Sequence, residues 1–223
     1  MEARFTAAAI GLLLAGNAAV SHAAVLTFEY DSIFSSGAVA PVGASPWLTA
    51  TFDDGDTPGS VTLTMTLAGT VGDATVDEVY FNFDTGGFSL ANLNFAYNAG
   101  STGPDANGVL TGVDAYKADG DGFYDILVDM PPPPGNVKWG AGQTVVFDIT
   151  STDAITAGSF NFLSAPGTGS NSGPFLSAAH AQSTGPSGAD SAWIAPSAVP
   201  VPAALWLFSS GLFGLVPLVR RRA

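Results

Sequence analysis

Apolar and polar residues alternate with a period of two in short runs along the middle of the chain. The clearest run is Val61–Leu67, in which four apolar residues alternate with three threonines. This pattern is typical of a β-strand with one buried and one solvated face. Similar runs, bounded by turns rich in Gly, Asp and Pro, predict further strands at Ala24–Tyr30, Trp47–Phe52, Val79–Phe83, Leu93–Phe95, Val109–Tyr116, Phe123–Met130, Val145–Ile149 and Phe160–Phe162.

The predicted strands are not separated by any amphipathic helical pattern, and strands punctuated by short turns indicate antiparallel pairing. We therefore expect an all-β fold over residues 24–163, an antiparallel β-sandwich of jelly-roll-like type. After residue 163 the alternation fades and Ser, Gly, Ala and Pro dominate, which indicates a spacer at 164–198. Within this spacer, Phe175–Gln182 predicts a last strand and Ser191–Ile194 predicts an aromatic residue docked on the domain.

The first 23 residues have the pattern of a secretory signal peptide. Arg4 precedes a short apolar run, and small residues occupy positions 21 and 23. A basic start, a short apolar stretch and small residues before the cleaved bond are the features of such signals. We expect residues 1–23 to form a signal helix that is removed by cleavage between Ala23 and Ala24.

The C-terminal end predicts a membrane-spanning segment. Ala203–Val219 is a run of 17 uncharged, mostly apolar residues, which is the lower limit for a helix that crosses a bilayer core of about 30 Å. The three arginines Arg220, Arg221 and Arg222 follow directly, and basic residues beside a span favour the cytoplasmic side. We expect a transmembrane helix at 203–219 that stops export and leaves the rest of the chain on the far side.

This tail resembles the C-terminal PEP-CTERM sorting signals of Gram-negative bacteria, in the variant written Val-Pro-Leu-Pro-Ala. The pattern departs at Val201, where the variant has Leu, and at Ser209, where it has Gly. The resemblance implies recognition by an exosortase, a membrane protease-transpeptidase that removes the tail, and an association with exopolysaccharide and the biofilm matrix. The alternative is an ordinary single-span anchor. The sorting motif consists of Val199, Pro200, Val201, Pro202, Ala203 and Ala204, and the positions that follow the variant's pattern beyond it are Leu205, Trp206, Leu207, Phe208 and Gly211.

The charge of the exported part is strongly negative. The whole chain carries a formal charge of −13, and residues 24–198 carry −16, because eighteen acidic residues face only Lys117 and Lys138 there. Nucleic-acid binding depends on neutralising phosphates with Lys and Arg, so we expect no nucleic-acid partner. The chain contains no cysteine, which excludes disulfides, thiol catalysis and Cys-ligated zinc.

Calcium is the one ion that the sequence suggests, and no organic cofactor is predicted. Asp119 and Asp121 alternate with glycines and Asp125 follows, which resembles part of a calcium-binding loop because calcium takes six to eight oxygen ligands. A complete loop would have a carboxylate where this chain has Lys117, so a plain hairpin turn is the alternative. The acidic turn at 53–56 leaves the same two interpretations open.

Candidates for catalysis and sugar binding are few. His180 is the one histidine in residues 24–198, and neither a Ser-His-Asp arrangement nor a zinc site is indicated around it. Trp47, Trp139 and Trp193 are candidates for a carbohydrate platform, by analogy with β-sandwich binding modules, and burial in the core is the alternative.

The sequence therefore predicts a non-enzymatic structural protein of the cell surface or extracellular matrix. It is expected to be anchored transiently in the inner membrane and released by an exosortase-like enzyme, with exopolysaccharide as a candidate partner. The first alternative is a carbohydrate- or calcium-binding extracellular module. The second is a polysaccharide hydrolase, which needs only a pair of carboxylates that the fold brings together.

Overall fold

The computed structural model describes residues 24–55, 57–119, 122–132, 137–167 and 173–197. Several predictions made from the sequence lie outside these residues. They are the signal helix at 1–23, the residues Asp56 and Asp121, the sorting motif, the transmembrane helix at 203–219 and the three arginines after it.

The described residues form eleven strands and two short 3₁₀ helices. In chain order these elements are β1 (Val25–Ile33), β2 (Leu48–Asp53), β3 (Ser60–Leu67), β4 (Thr75–Phe81), η1 (Leu90–Asn92), β5 (Asn94–Tyr97), β6 (Gly108–Lys117), β7 (Phe123–Asp129), β8 (Trp139–Gly140), β9 (Thr144–Thr150), η2 (Ala157–Phe160), β10 (Ser177–Thr184) and β11 (Asp190–Pro196). In these ranges, no helix is both long and apolar enough to cross a membrane.

All the strands belong to one sheet in which every pairing is antiparallel. The order is β5-β9-β3-β2-β1-β11-β10-β4-β7-β6, and β8 pairs with β4 beside this path. The sheet is nearly closed, because its two outer strands, β5 and β6, line the same cleft. The prediction of an all-β, antiparallel fold is therefore confirmed.

Strand β3 shows how the alternating pattern builds the core. Val61, Leu63, Met65 and Leu67 are buried, whereas the residues between them are partly exposed. The outward threonines pair with the neighbouring strand, and the hydroxyl oxygens of Thr66 and Thr144 lie 3.0 Å apart. One face of β3 thus packs into the core, while a threonine on the other face hydrogen-bonds to a threonine of β9.

The sheet curls around an aromatic core. Phe52 on β2 lies 5.1 Å from Phe81 on β4, measured between ring centroids, and 4.3 Å from Phe160 at the end of η2. In the sheet, β2 and β4 are separated by β1, β11 and β10. Contact between Phe52 and Phe81 therefore means that these two parts of the sheet face each other across the interior.

The last strand predicted at Phe175–Gln182 is present as β10, and residues 190–196, where only a docked aromatic residue was expected, form β11; the segment expected to be mainly a spacer thus supplies the middle of the sheet. β10 and β11 pair with each other, and they join β1 on one side to β4 on the other. Ala179, Ala181, Ala192 and Ile194 are buried in the core. The folded domain consequently continues past residue 163 to Pro196, because these two strands link the two halves of the sheet by hydrogen bonding.

The strand expected at Phe160–Phe162 is a 3₁₀ helix followed by irregular chain. Phe160 is fully buried against Phe52 and Phe83, whereas Phe162 is 41% exposed. The helix is fixed by a capping box between Thr156 and Ser159. The two phenylalanines thus point differently because the backbone turns between them.

Candidate functional site

A row of polar and aromatic side chains crosses four strands on the outer face of the sheet. Trp193 on β11 pairs with His180 on β10, His180 pairs with Glu78 on β4, and Glu78 pairs with Asp129 on β7. Their neighbours along the strands, such as Ile194 and Val79, are buried in the core, so the alternation places the row outside. We name the group around its centre the His180 patch; it consists of Asp77, Glu78, Tyr80, His180, Gln182 and Trp193.

The centre of the patch is an imidazole–carboxylate pair. His180 Nδ1 lies 2.9 Å from Asp77 Oδ1, and the two side chains are 21% and 10% exposed. Gln182 Nε2 donates to the other oxygen, Asp77 Oδ2. The pairing of β10 with β4 shifts register between His180 and Ala181: His180 lies opposite Glu78 and Ala181 lies opposite Val76. Asp77, between Val76 and Glu78, is therefore an extra residue in β4 at this point. Asp77 is therefore held by two side chains of β10 at once.

The charges around His180 favour its protonated form. Burial lowers the pKa of the imidazole, but the hydrogen bond and charge of Asp77, with the charges of Glu78 and Asp119, outweigh burial and raise it above its ordinary value. An opposite charge at hydrogen-bond distance is the usual cause of such a rise. The imidazole of His180 therefore holds its proton more tightly than a solvated imidazole does.

Aromatic rings frame the imidazole. Trp193 stacks on His180, with ring centroids 4.6 Å apart and an interplanar angle of 22°. Tyr80 lies 5.7 Å from Trp193, and its hydroxyl donates to Glu78 Oε2 at 2.8 Å. Burial, together with that hydrogen bond, raises the pKa of Tyr80. The tyrosine hydroxyl therefore stays protonated and keeps the Glu78 carboxylate oriented.

The strand that carries Trp193 is tied to the end of β1. Trp193 N donates to Ser35 Oγ at 3.0 Å, and Phe34 N donates to the Trp193 carbonyl at 3.1 Å. The indole is consequently fixed by its backbone as well as by the stack on His180.

The chemistry available in the patch is recognition by stacking and hydrogen bonding. Asp77 is buried with both oxygens bonded inside the patch, so the groups that can meet a ligand are the partly exposed Glu78, Gln182 and the uncovered part of the Trp193 indole. Asp77 holds His180 much as the acid of a catalytic triad holds its histidine. Among the described residues, however, no serine or threonine hydroxyl bonds to the imidazole, so no nucleophile is paired with it there.

The three candidate tryptophans do not form one platform. Trp47 is 8% exposed and Trp139 is fully buried; their indole nitrogens donate to the carbonyls of Gly43 at 3.3 Å and Gln143 at 3.1 Å. A sugar ring cannot stack on either, so the carbohydrate-platform prediction is replaced by a core role at these two positions. Trp193 alone of the three lies on the outer face.

The candidate calcium ligands are also placed differently from one another. Asp125 is buried, and its two carboxylate oxygens accept the backbone N–H groups of Phe83 and Asp114, each at 2.9 Å. Its role here is to stabilise the interior, which corrects its expected place in an ion-binding loop. Asp119 is exposed, and Asp121 lies outside the described residues. Within the described ranges, no three His, Asp or Glu side chains are arranged to hold a metal ion.

A cleft lies where the sheet fails to close. It has a volume of about 340 Å³ and runs between β5 and β6, with Leu93, Phe95, Tyr97, Ala106 and Val109 among the residues that line it. Tyr97 donates its hydroxyl to the carbonyl of Gly103 at 2.6 Å, which fixes the loop beside the cleft. The cleft thus separates the two outer strands, which do not pair with each other.

Little in the sequence pointed to the His180 patch. Asp77 and His180 are 103 positions apart, and a register shift between their strands brings them together. The local signal was the spacing of His180 and Gln182, since residues two apart on a strand share a face. The strand predicted at Phe175–Gln182 already implied that these two side chains share a face, but not which residues lie opposite them.

The sorting motif, Ala23 and the arginines Arg220–Arg222 lie outside the described residues, whereas Ala24 is the first residue of the described structure. Nothing among protein-family models, curated proteins or solved structures matches this chain, so what the His180 patch and the chain ends do must be inferred from their own chemistry.

Proposed function

We propose that the protein is exported and serves as a structural protein of the cell surface or the extracellular, exopolysaccharide-rich matrix. In this proposal a signal peptide directs export and the C-terminal span holds the chain in the inner membrane. An exosortase-like protease-transpeptidase then cuts near Pro202 and releases the domain. The proposal depends mainly on the order of sorting motif, apolar span and arginines at the end of the chain.

The end of the folded domain supports this arrangement. β11 ends at Pro196, and Ser197 bonds to Asp31 through both its backbone nitrogen, at 2.8 Å, and its hydroxyl, at 2.9 Å. The motif begins at Val199. Residues 198–202, even fully extended, reach only about 18 Å, so an inserted span would hold the domain close to the membrane surface and its cleavage enzyme.

The acidic composition also fits an extracellular role. With a formal charge of −16 over residues 24–198, the domain is repelled by anionic lipid surfaces once it is released. It attracts divalent cations and tolerates neutral polymers, which are components of polysaccharide matrices.

The sorting proposal is tested by following the tail in a Gram-negative host that has an exosortase. We expect the wild-type protein to lose the tail that follows the cut near Pro202, including the apolar span and the three arginines, and to be recovered outside the cell. Pro202→Ala, or deletion of residues 220–222, should leave the tail attached or change the destination. Val201→Leu is the matched control, because it restores the motif variant and should be processed like the wild type. Extracellular protein that retains its tail would contradict the proposal.

Carbohydrate binding at the His180 patch is the second candidate function. It is supported by Trp193, which is partly exposed on the outer face in the same patch as the Glu78 carboxylate and the Gln182 amide, two groups that suit sugar hydroxyls. Binding to the folded state raises the melting midpoint, so a polysaccharide ligand should stabilise the processed wild-type protein. Trp193→Ala should lose that response, whereas Phe162→Ala, which removes an exposed aromatic ring elsewhere, should keep it. A flat response to a broad polysaccharide panel would reject this candidate.

For the fold, we propose that the nearly closed sheet is a β-sandwich of jelly-roll-like type. Support comes from the core contacts, since Phe28 and Phe52 on neighbouring strands meet Phe81 from a distant part of the sheet. In this interpretation β2 and β4 lie in opposite layers, and the strands between them in the sheet turn the corner.

A further inference from the structure

A buried carboxylate holds the first described residue of the chain. Asp54, directly after β2, is 7% exposed. Its Oδ1 accepts Ala24 N at 2.8 Å, and its own backbone nitrogen donates to the Ala24 carbonyl at 3.3 Å. Its Oδ2 accepts Ala157 N at 3.2 Å. Both carboxylate oxygens thus face backbone donors, and one of those donors is the nitrogen that cleavage after Ala23 would free.

Asp54 has no cationic side chain beside it in the described structure. The one ion pair among those residues joins His180 to Asp77, and Lys117 lies over the ring of Phe123. A buried carboxylate without an opposite charge is costly. Two backbone N–H donors offset part of that cost, and a charged donor in place of one of them would offset more, because hydrogen bonds from charged donors are about twice as strong.

We propose that Asp54 is the binding site for the α-ammonium group of the processed chain, and that signal removal completes it. This inference rests on the export proposed above. Hydrolysis breaks the bond between the Ala23 carbonyl carbon and Ala24 N; water supplies the oxygen and proton of the new carboxyl group and the hydrogen on nitrogen. The amine then takes a proton from solvent, since α-amino groups have pKa values near 8.

The geometry around Ala24 allows this change without rearrangement. Ala24 is exposed, so the bond before it is accessible and the new ammonium group stays partly solvated. One of its hydrogens already points at Asp54 Oδ1, at the distance of a charge-assisted hydrogen bond. Processing therefore converts a neutral contact into an ion pair at the start of β1 and stabilises the mature domain.

The test uses the full chain, expressed with its signal and purified after export. Sequencing is expected to give Ala24 as the first residue. Selective acylation of that α-amine, which removes its charge, should lower the melting midpoint by about 3 °C or more. In Asp54→Asn the same acylation should leave the midpoint unchanged. Asp53→Asn is the matched control, because Asp53 is the exposed neighbour that bonds Gly55 N, and acylation should destabilise it like the wild type.

The outcomes separate this inference from the export proposal. Retention of residues 1–23 in the exported protein would overturn both. An N-terminus at Ala24 whose acylation leaves the wild-type midpoint unchanged, or shifts Asp54→Asn equally, would overturn this inference alone. If Asp54→Asn does not fold, the comparison of free and acylated wild-type protein still decides the question.

Discussion

Substitutions at two linked buried hydroxyls should destabilise the protein by unequal amounts. Tyr30 on β1 and Ser177 on β10 are fully buried and hydrogen-bonded to each other. Ser177 Oγ lies 2.6 Å from the Tyr80 carbonyl, which can only accept, so the serine donates there. The Tyr30 hydroxyl must then donate to Ser177. Burial raises the pKa of Tyr30, so this hydroxyl keeps its proton and needs an acceptor.

The direction of donation fixes the magnitudes. Tyr30→Phe removes one hydrogen bond and leaves Ser177 bonded to Tyr80, at a cost of about 1 kcal/mol. Ser177→Ala leaves the buried Tyr30 hydroxyl without its acceptor, which costs about 1–3 kcal/mol. Removing both hydroxyls leaves no orphaned donor, so the double variant should be more stable than Ser177→Ala alone. For a domain of this size, each 1 kcal/mol shifts the melting midpoint by about 2–4 °C.

Thermal and urea unfolding of the four proteins would complete the double-mutant cycle. We expect Ser177→Ala to be the least stable of the four, and Tyr30→Phe to raise its midpoint when added to it. The assigned direction of donation would be refuted if adding Tyr30→Phe lowered the midpoint of Ser177→Ala further.

The other predictions concern the central strands, the His180 patch and calcium. Ile194→Ala should cost about 2–5 kcal/mol because it empties buried space in β11, whereas the exposed Leu163→Ala should stay within about 0.5 kcal/mol of wild type; equal unfolding midpoints would contradict the placement of β11. Because the pKa of His180 is raised in the fold, its protonation stabilises the protein below its ordinary pKa, and this contribution is lost as pH rises through the raised value. His180→Gln should flatten the stability–pH profile, measured by urea unfolding, over the pH range between the ordinary and the raised pKa. An unchanged profile would reject a stabilising role for the His180 proton. If Asp119 and Asp121 bind calcium, adding calcium should raise the melting midpoint and a chelator should reverse it; Asp121→Asn should lose this response.

Where a strand alternates large apolar residues with polar ones, its position along the chain and its buried face could be predicted from the sequence. β3 and β9 carry such residues, and the structure has them as strands with one buried face. β10 does not, because its inward residues are Ala179 and Ala181. Small residues suffice at a crowded central position, so the strand predicted at Phe175–Gln182 gave no sign that it lies in the middle of the sheet.

The candidate site was less predictable because it depends on how the sheet packs and on the register between its strands. The orientation of Trp47, Trp139 and Trp193 depends on how the sheet packs, and a single tryptophan in a strand-like run does not show which face it occupies. The contact of His180 with Asp77 depends on a register shift between strands far apart in sequence. Hydropathy patterns cannot encode such a shift, because it is set by the whole sheet.

The position of β10 and β11 also governs when the domain can fold. They are the last strands to be synthesised, yet they join β1 to β4 in the middle of the sheet. A chain that emerges N-terminus first can form the β1-β2-β3 and β6-β7 pairings early, because these strands are close in sequence, but contacts between sequence-distant strands form slowly. The core therefore closes only after residue 196 has emerged, just ahead of the predicted span. Until then the chain remains open, which is the state that the export proposed above requires.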